Sequence, residues 1–202
     1  MWANLGEELV QIKIWSSTLF CPIRALSQNT SGLLALGLSN GTVDIYSRHD
    51  DKWDVKYTIP AHACEVTTLS WSDNKLATGG RDRILNIFEL SDDCTRFHNI
   101  FQMKIHSGTI NCVHWVFQET GPCLVSAGSD RTICYIERVS DEKWAVSTSI
   151  KTALSPYCIT GSGPFIAIGK SIQLFNQRKL LRIFTSSKCT RTRYDTLTTI
   201  TF

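Results

Sequence analysis

Two stretches of this 202-residue chain restate each other, and that repetition limits the possible folds more than any composition can. The first runs His62-Ala-Cys-Glu-Val-Thr-Thr-Leu-Ser-Trp71 and then Lys75-Leu-Ala-Thr-Gly-Gly-Arg-Asp-Arg-Ile-Leu-Asn-Ile-Phe88. The second runs His106-Ser-Gly-Thr-Ile-Asn-Cys-Val-His-Trp115 and then Cys123-Leu-Val-Ser-Ala-Gly-Ser-Asp-Arg-Thr-Ile-Cys-Tyr135. The histidines stand 44 residues apart, and Asp82 and Asp130 stand 48 apart. A weaker copy, Leu33-Leu-Ala-Leu-Gly-Leu-Ser-Asn-Gly-Thr-Val-Asp-Ile-Tyr46, precedes them, and a degraded one, Phe165-Ile-Ala-Ile-Gly-Lys-Ser-Ile-Gln-Leu-Phe175, follows.

Within each unit, runs of period-two alternation are separated by Gly, Asn, Asp and Ser, which reads as strands joined by tight turns. Asn40-Gly41 is a hairpin signal, on the expectation that both residues take positive φ. Units of four antiparallel strands at this period, each with a His before its first strand and a turn Asp, resemble the WD40 β-propeller, an all-β fold. The units are placed at 18–60, 61–104, 105–150 and 151–186. Residues 1–17 hold the last strand of a preceding blade (Glu8 to Trp15), and 187–202 the first strand of a following one (Thr196 to Phe202). About four blades of an incomplete ring are thus expected, a piece of a longer protein. Unpaired strands at its two ends would recruit other chains; the alternative is a small ring closed between the termini.

Composition narrows the function. Hydrophobic residues at 43% with a net charge of only +3 argue against disorder. That balanced charge also argues against a nucleic-acid partner held by a basic field. Apolar runs such as Leu33 to Leu38 fall far short of the roughly 20 residues of a membrane helix, so no membrane partner is expected. The opening Met-Trp-Ala-Asn-Leu-Gly-Glu-Glu has acids where a secretory leader has bases. The 8 cysteines include no CxxC pair, and reduced, buried thiols such as Cys112 and Cys134 fit a cytoplasmic or nuclear protein better than disulfides.

Two sets, His62, Thr78, Asp82 and His106, Ser126, Asp130, contain the residue types of a hydrolase. Neither has a nucleophile elbow or an oxyanion loop, so both are read as structural hydrogen-bond networks binding the turn to the loop before the first strand. The Trp usual in the third strand is taken as replaced by Phe88 and Tyr135. Gly161-Ser-Gly163 leads into Pro164 and not into a phosphate-holding helix. The acidic pairs Asp50-Asp51 and Asp92-Asp93 belong to solvated hairpin loops. No catalytic, metal or cofactor site and no small-molecule substrate is expected. Candidate protein-binding positions are Glu65, Arg81, Arg83, Thr109 and Arg131, at strand ends where loops sit on a rigid frame. Lys188, Arg191 and Arg193 form a further small basic cluster.

Three stretches carry a more specific resemblance: Ala61-His-Ala-Cys-Glu-Val66, Leu76-Ala-Thr-Gly-Gly-Arg-Asp-Arg-Ile-Leu-Asn-Ile-Phe88 and Ser126-Ala-Gly-Ser-Asp-Arg-Thr-Ile-Cys-Tyr-Ile136. Across residues 33–202 the order of motifs resembles the mitogen-activated protein kinase-binding protein 1 family and its spindle-pole paralogue. Leu154-Ser-Pro-Tyr-Cys-Ile159 departs from that family's pattern, and Gly169-Lys170 stands where the fourth unit would have its turn Asp. The resemblance implies a scaffold for proteins of a stress-activated kinase cascade or of the centrosome and spindle pole, acting in the cytoplasm or at those bodies. The family's docking segment and coiled coil have no counterpart here. The alternatives are a subunit of a ribonucleoprotein or a ubiquitin-ligase substrate receptor.

Overall fold

The computed structural model describes residues 2–4, 9–11, 21–50, 52–118, 121–140, 143–162, 165–169, 172–176 and 179–184. Strands β1 (Trp2–Asn4) and β2 (Leu9–Gln11) pair antiparallel with each other. Leu9–Gln11 is the part of the expected Glu8–Trp15 strand that is described, and its partner there is Trp2–Asn4. The strand expected at 196–202, the Lys188, Arg191 and Arg193 cluster and the Gly169-Lys170 junction lie wholly or partly outside the described residues.

Four sheets of four antiparallel strands follow, each a meander in chain order. Blade 1 is β3 (Ile23–Gln28), β4 (Leu34–Leu38), β5 (Thr42–His49) and β6 (Lys52–Pro60). Blade 2 is β7 (Val66–Ser72), β8 (Lys75–Gly80), β9 (Ile84–Leu90) and β10 (Phe97–Lys104). Blade 3 is β11 (Ile110–Gln118), β12 (Gly121–Gly128), β13 (Thr132–Ser140) and β14 (Lys143–Lys151). Blade 4 is β15 (Cys158–Ser162), β16 (Phe165–Gly169), β17 (Ile172–Asn176) and β18 (Lys179–Phe184).

The core lies between blades. Leu76 packs with Leu33, Ala35 and Val43 of blade 1, whereas its neighbour Ala77 packs with Ile110, Val113 and Leu124 of blade 3. A second strand covered on both faces takes apolar or small residues on both, which is why β4 and β8 read as short runs and not as alternation. The fourth strands β6, β10 and β14 are mostly exposed, and β6 alternates between exposed and covered residues.

The first strands of blades 1, 2 and 3 open with the same irregularity, whereas β15 pairs with β16 in unbroken register. A bulge lies between Ile23 and Ala25, between Val66 and Thr68, and between Ile110 and Cys112. The extra residue of such a bulge is re-aimed out of the ladder, and here it reaches forward to the next blade. Arg24 meets Glu65 at 3.0 Å, Thr67 Oγ1 donates to the Ile110 carbonyl, and Asn111 Nδ2 donates to the Pro156 carbonyl at 2.8 Å. The far ends are tied as well. The Trp71 indole donates to the Ser27 carbonyl at 3.2 Å and the Trp115 indole to the Ser70 carbonyl at 3.1 Å.

The seven described cysteines are free thiols. Cys123 and Cys134 are buried, Cys21 and Cys112 are half-buried, and Cys64, Cys94 and Cys158 are exposed, so burial holds for some of the thiols and not for others. Burial pushes the Cys112 thiol up to about 11, so it remains neutral.

Candidate functional site

Six connections share one edge of the sheets: 39–41, 61–65, 81–83, 105–109, 129–131 and 152–157. Backbone bonds fasten each interblade loop to a hairpin turn. His62 N donates to Gly41 O (2.9 Å), Arg81 N to Glu65 O (3.0 Å), Ser129 N to Thr109 O and Thr152 N to Arg131 O (both 2.8 Å). Thr109 therefore serves this edge through its carbonyl, with a half-buried side chain.

The three hairpin turns share one conformation. Gly41, Arg83 and Arg131 have φ of 92°, 72° and 64°, and each donates its N–H to the carbonyl of Leu38, Gly80 or Gly128 respectively. Asn40 does not take positive φ; only Gly41 does, so the turn is the three-residue type with a single left-handed position. Asn40 instead accepts the Thr42 amide at 3.1 Å, as Asp82 accepts the Ile84 amide and Asp130 the Thr132 amide at that same distance.

In blades 2 and 3 the aspartate also reaches a histidine. His62 Nδ1 lies 3.0 Å from Asp82 Oδ1, and its Nε2 lies 2.8 Å from Thr78 Oγ1. His106 Nδ1 lies 3.1 Å from Asp130 Oδ1, and its Nε2 lies 2.8 Å from Ser126 Oγ. A carboxylate can only accept, so Nδ1 carries the proton and the Thr78 or Ser126 hydroxyl donates to Nε2. Burial holds both imidazoles below the ordinary histidine pKa, against the opposing pull of Asp82 and Asp130. Burial raises Asp130 too, but bonds from Thr132 and Ser107 and the neighbouring His106 outweigh it and bring the carboxyl below its usual value. At neutral pH the pair is a carboxylate beside a neutral imidazole.

Sequence reasoning missed three members of these networks. Thr132 Oγ1 stands 2.8 Å from His106 Nδ1 and donates to Asp130 at 2.7 Å. Gly80 and Gly128 make room for the rings: a Cβ on Gly80 would lie 2.5 Å from His62 Nδ1, and one on Gly128 would lie 2.4 Å from His106 Nδ1. The equivalent position in blade 1, opposite Ile23, is Leu38, so that blade fills this space with a buried apolar side chain. The third-strand reading needs correcting. Phe88 pairs with Leu76, and the residue pairing with the equivalent Leu124 is Ile136; Tyr135 pairs with Val125 and packs on the opposite face, with Ile159. A further buried polar residue, Asn86, donates to the Ala61 carbonyl at 2.9 Å and accepts from Asn99 and Gln102.

Serine, histidine and aspartate thus lie in line, yet Ser126 is 0% exposed in mid-strand and the His106 side chain is also 0% exposed. No substrate carbonyl can approach that hydroxyl, and its proton is already committed to Nε2. Among the described residues, no group of three or more His, Cys, Asp or Glu is placed to hold a metal ion. Of the candidate binding positions, Arg81, Arg83 and Arg131 are exposed, and Glu65 sits between Arg24 at 3.0 Å and Arg81 at 3.4 Å.

The family described as "WD domain, G-beta repeat" matches residues 53–89 and 97–136. The chain carries WD40 repeats. Each matched WD40 segment begins in the outer strand of one blade (β6, β10) and continues into the next blade or, for the second, through most of β13. Elongator complex protein 2 of Schizosaccharomyces pombe is 26% identical over 93 residues, which are 45% of this chain and 12% of that protein. APC/C activator protein CDH1 of Saccharomyces cerevisiae is 31% identical over 97 residues, 46% of this chain and 15% of that protein. The matched segments therefore span under a fifth of these two relatives' lengths. A chain in the crystal structure of the mitotic checkpoint complex superposes with a TM-score of 0.65 at 20% identity, over 79% of this chain and 49% of that one. The WD40 repeats are blades of a β-propeller, a fold that is typically an interaction domain and not an enzyme.

Proposed function

We propose that this chain is a non-enzymatic adaptor that presents its turn edge, bearing Glu65, Arg81, Arg83 and Arg131, to partner proteins. The observation that carries the reading is how this edge divides its polar groups. The histidines and aspartates that could do chemistry are turned inward and consumed in holding turns, while the arginines project into solvent. Loops on a rigid frame are where binding residues concentrate. By the resemblance of residues 33–202, the partners are proteins of a mitogen-activated kinase cascade or of the centrosome and spindle pole, and the site of action is the cytoplasm or those bodies.

A second reading is favoured by the likeness to a protein named as an APC/C activator. In it the chain is part of a substrate receptor or activating subunit of a ubiquitin-ligase assembly. Crosslinked capture from dividing cells separates the two, using the native chain beside one with Arg81→Ala, Arg83→Asn and Arg131→Asn. Kinase-cascade or centrosomal proteins lost with the variant support the first reading, and ligase subunits lost with it support the second. Capture that is identical for both chains removes the turn edge from the account.

A further inference from the structure

We propose that the turn edge takes an acidic, partly apolar linear segment of a partner protein; this rests on the adaptor reading and names its ligand. Arg83 and Arg131 occupy the same left-handed turn position in consecutive blades, and both are exposed. Lys104 pairs in register with Ile84 and Lys151 with Thr132, so each blade sets an exposed lysine at the same end as its turn arginine. Arg24 and Arg81 add two more cations beside the loop at 61–65.

The carboxylates of this edge do not neutralise that set. Asp82 and Asp130 keep only 9% and 10% side-chain exposure and point at their histidines. Glu65 alone faces outward, and it is divided between Arg24 and Arg81. Among the described residues, Arg83, Lys104, Arg131 and Lys151 form no ion pair with a carboxylate. The opposite edge is different: Asp50, Asp73, Asp92 and Asp93 are interleaved there with its lysines and arginines. The small net charge of +3 therefore conceals one edge that is strongly cationic outward.

Two features favour a polypeptide over a nucleic acid. Of the six connections only 152–157 carries an aromatic residue, Tyr157, so the edge has no succession of rings on which consecutive bases could stack. Leu154 is 47% exposed beside the Arg131 turn, where Thr152 Oγ1 bonds both the Arg131 and the Leu154 carbonyls. An apolar side chain set among spaced guanidinium groups matches alternating carboxylate and apolar residues, with arginine supplying paired hydrogen bonds to each carboxylate.

The test uses the whole chain and three labelled probes: a peptide of Glu and Asp around one Leu, its Lys counterpart, and a single-stranded oligonucleotide of the same charge as the acidic peptide. The acidic peptide should bind best, and added salt should weaken it. Arg83→Asn with Arg131→Asn should weaken it about tenfold, since asparagine tolerates the left-handed turn while removing the charge. Restoring lysine at both positions should recover part of the affinity. Lys143→Asn on the opposite edge should leave it unchanged. No binding of the acidic peptide, tighter binding of the oligonucleotide, or equal weakening by Lys143→Asn would each overturn the proposal. Should a partner be captured through the turn edge while the acidic peptide fails to bind, the adaptor reading stands and this inference falls.

Discussion

His106 can take a proton only by giving up the bond that Ser126 donates to its Nε2, because both ring nitrogens would then be donors. Burial depresses the pKa of His106 and of His62, so near pH 6 the folded chain binds fewer protons than the unfolded one. Stability linked to these rings is complete above the ordinary value of about 6.5 and falls as pH drops below it. Urea midpoints taken at about pH 7.5 and about pH 5.5 should show that fall, and His62→Gln with His106→Gln should reduce it. Asp130 accepts from His106, Ser107 and Thr132, including two hydroxyls, whereas Asp82 accepts from His62, Ala63 and Ile84 with none. Asp130→Ala should thus lower the midpoint more than Asp82→Ala, each within about 1–3 kcal/mol. The His, Thr or Ser, and Asp positions were legible because they recur in one order within matching local motifs, with the hydroxyl residue four before the Asp in both repeats. Thr132 was not, because its counterpart in the other repeat is Ile84, and the roles of Gly80 and Gly128 are visible only as the space a ring fills. Tyr135 and Ile136 stand one residue apart, and on a strand that single step moves a side chain to the opposite face.

The turns and bulges are the elements that separate this edge from a generic set of hairpins. Gly41 is both left-handed and crowded, and a Cβ there would lie 2.0 Å from the His62 carbonyl oxygen. Gly41→Ala should therefore destabilise by about 2 kcal/mol or more, while Arg83→Gly, which relieves a side chain from the same left-handed conformation, should be neutral or stabilising by up to about 1 kcal/mol. Thermal unfolding of both variants checks this, and a tolerated Gly41→Ala would show that the turn is not packed as described. Asn40-Gly41 did mark a hairpin, but the dipeptide could not tell two left-handed residues from one, since the loop length depends on where the strands pair. The first-strand bulges left no mark in the alternation, because Arg24, Thr67 and Asn111 are different residue types sharing only a forward bond to the next blade. Trp115→Phe deletes the indole donor to Ser70 and should cost about 1 kcal/mol, with faster amide exchange at the blade 2–blade 3 seam.

At the scale of the molecule, blades cohere because each sequence repeat is shared between sheets and because the apolar clusters lie between blades. The repeat period made the all-β architecture legible from the sequence. The division of the turn edge into inward acids and outward arginines was not, since Arg81-Asp82-Arg83 reads as neutralised charge until the direction of each side chain is known. The central claim is that this edge is a rigid platform, with its turns held as firmly as its strands. Native-state hydrogen exchange on the whole chain tests it most directly, at the amides of Ser107, Ser129 and Thr132, which donate to Asp130, to the Thr109 carbonyl and to Asp130. They should exchange as slowly as the amides of β12 and lose that protection in Asp130→Ala. Exchange of these turn amides at unprotected peptide rates, with β12 still protected, would contradict the account.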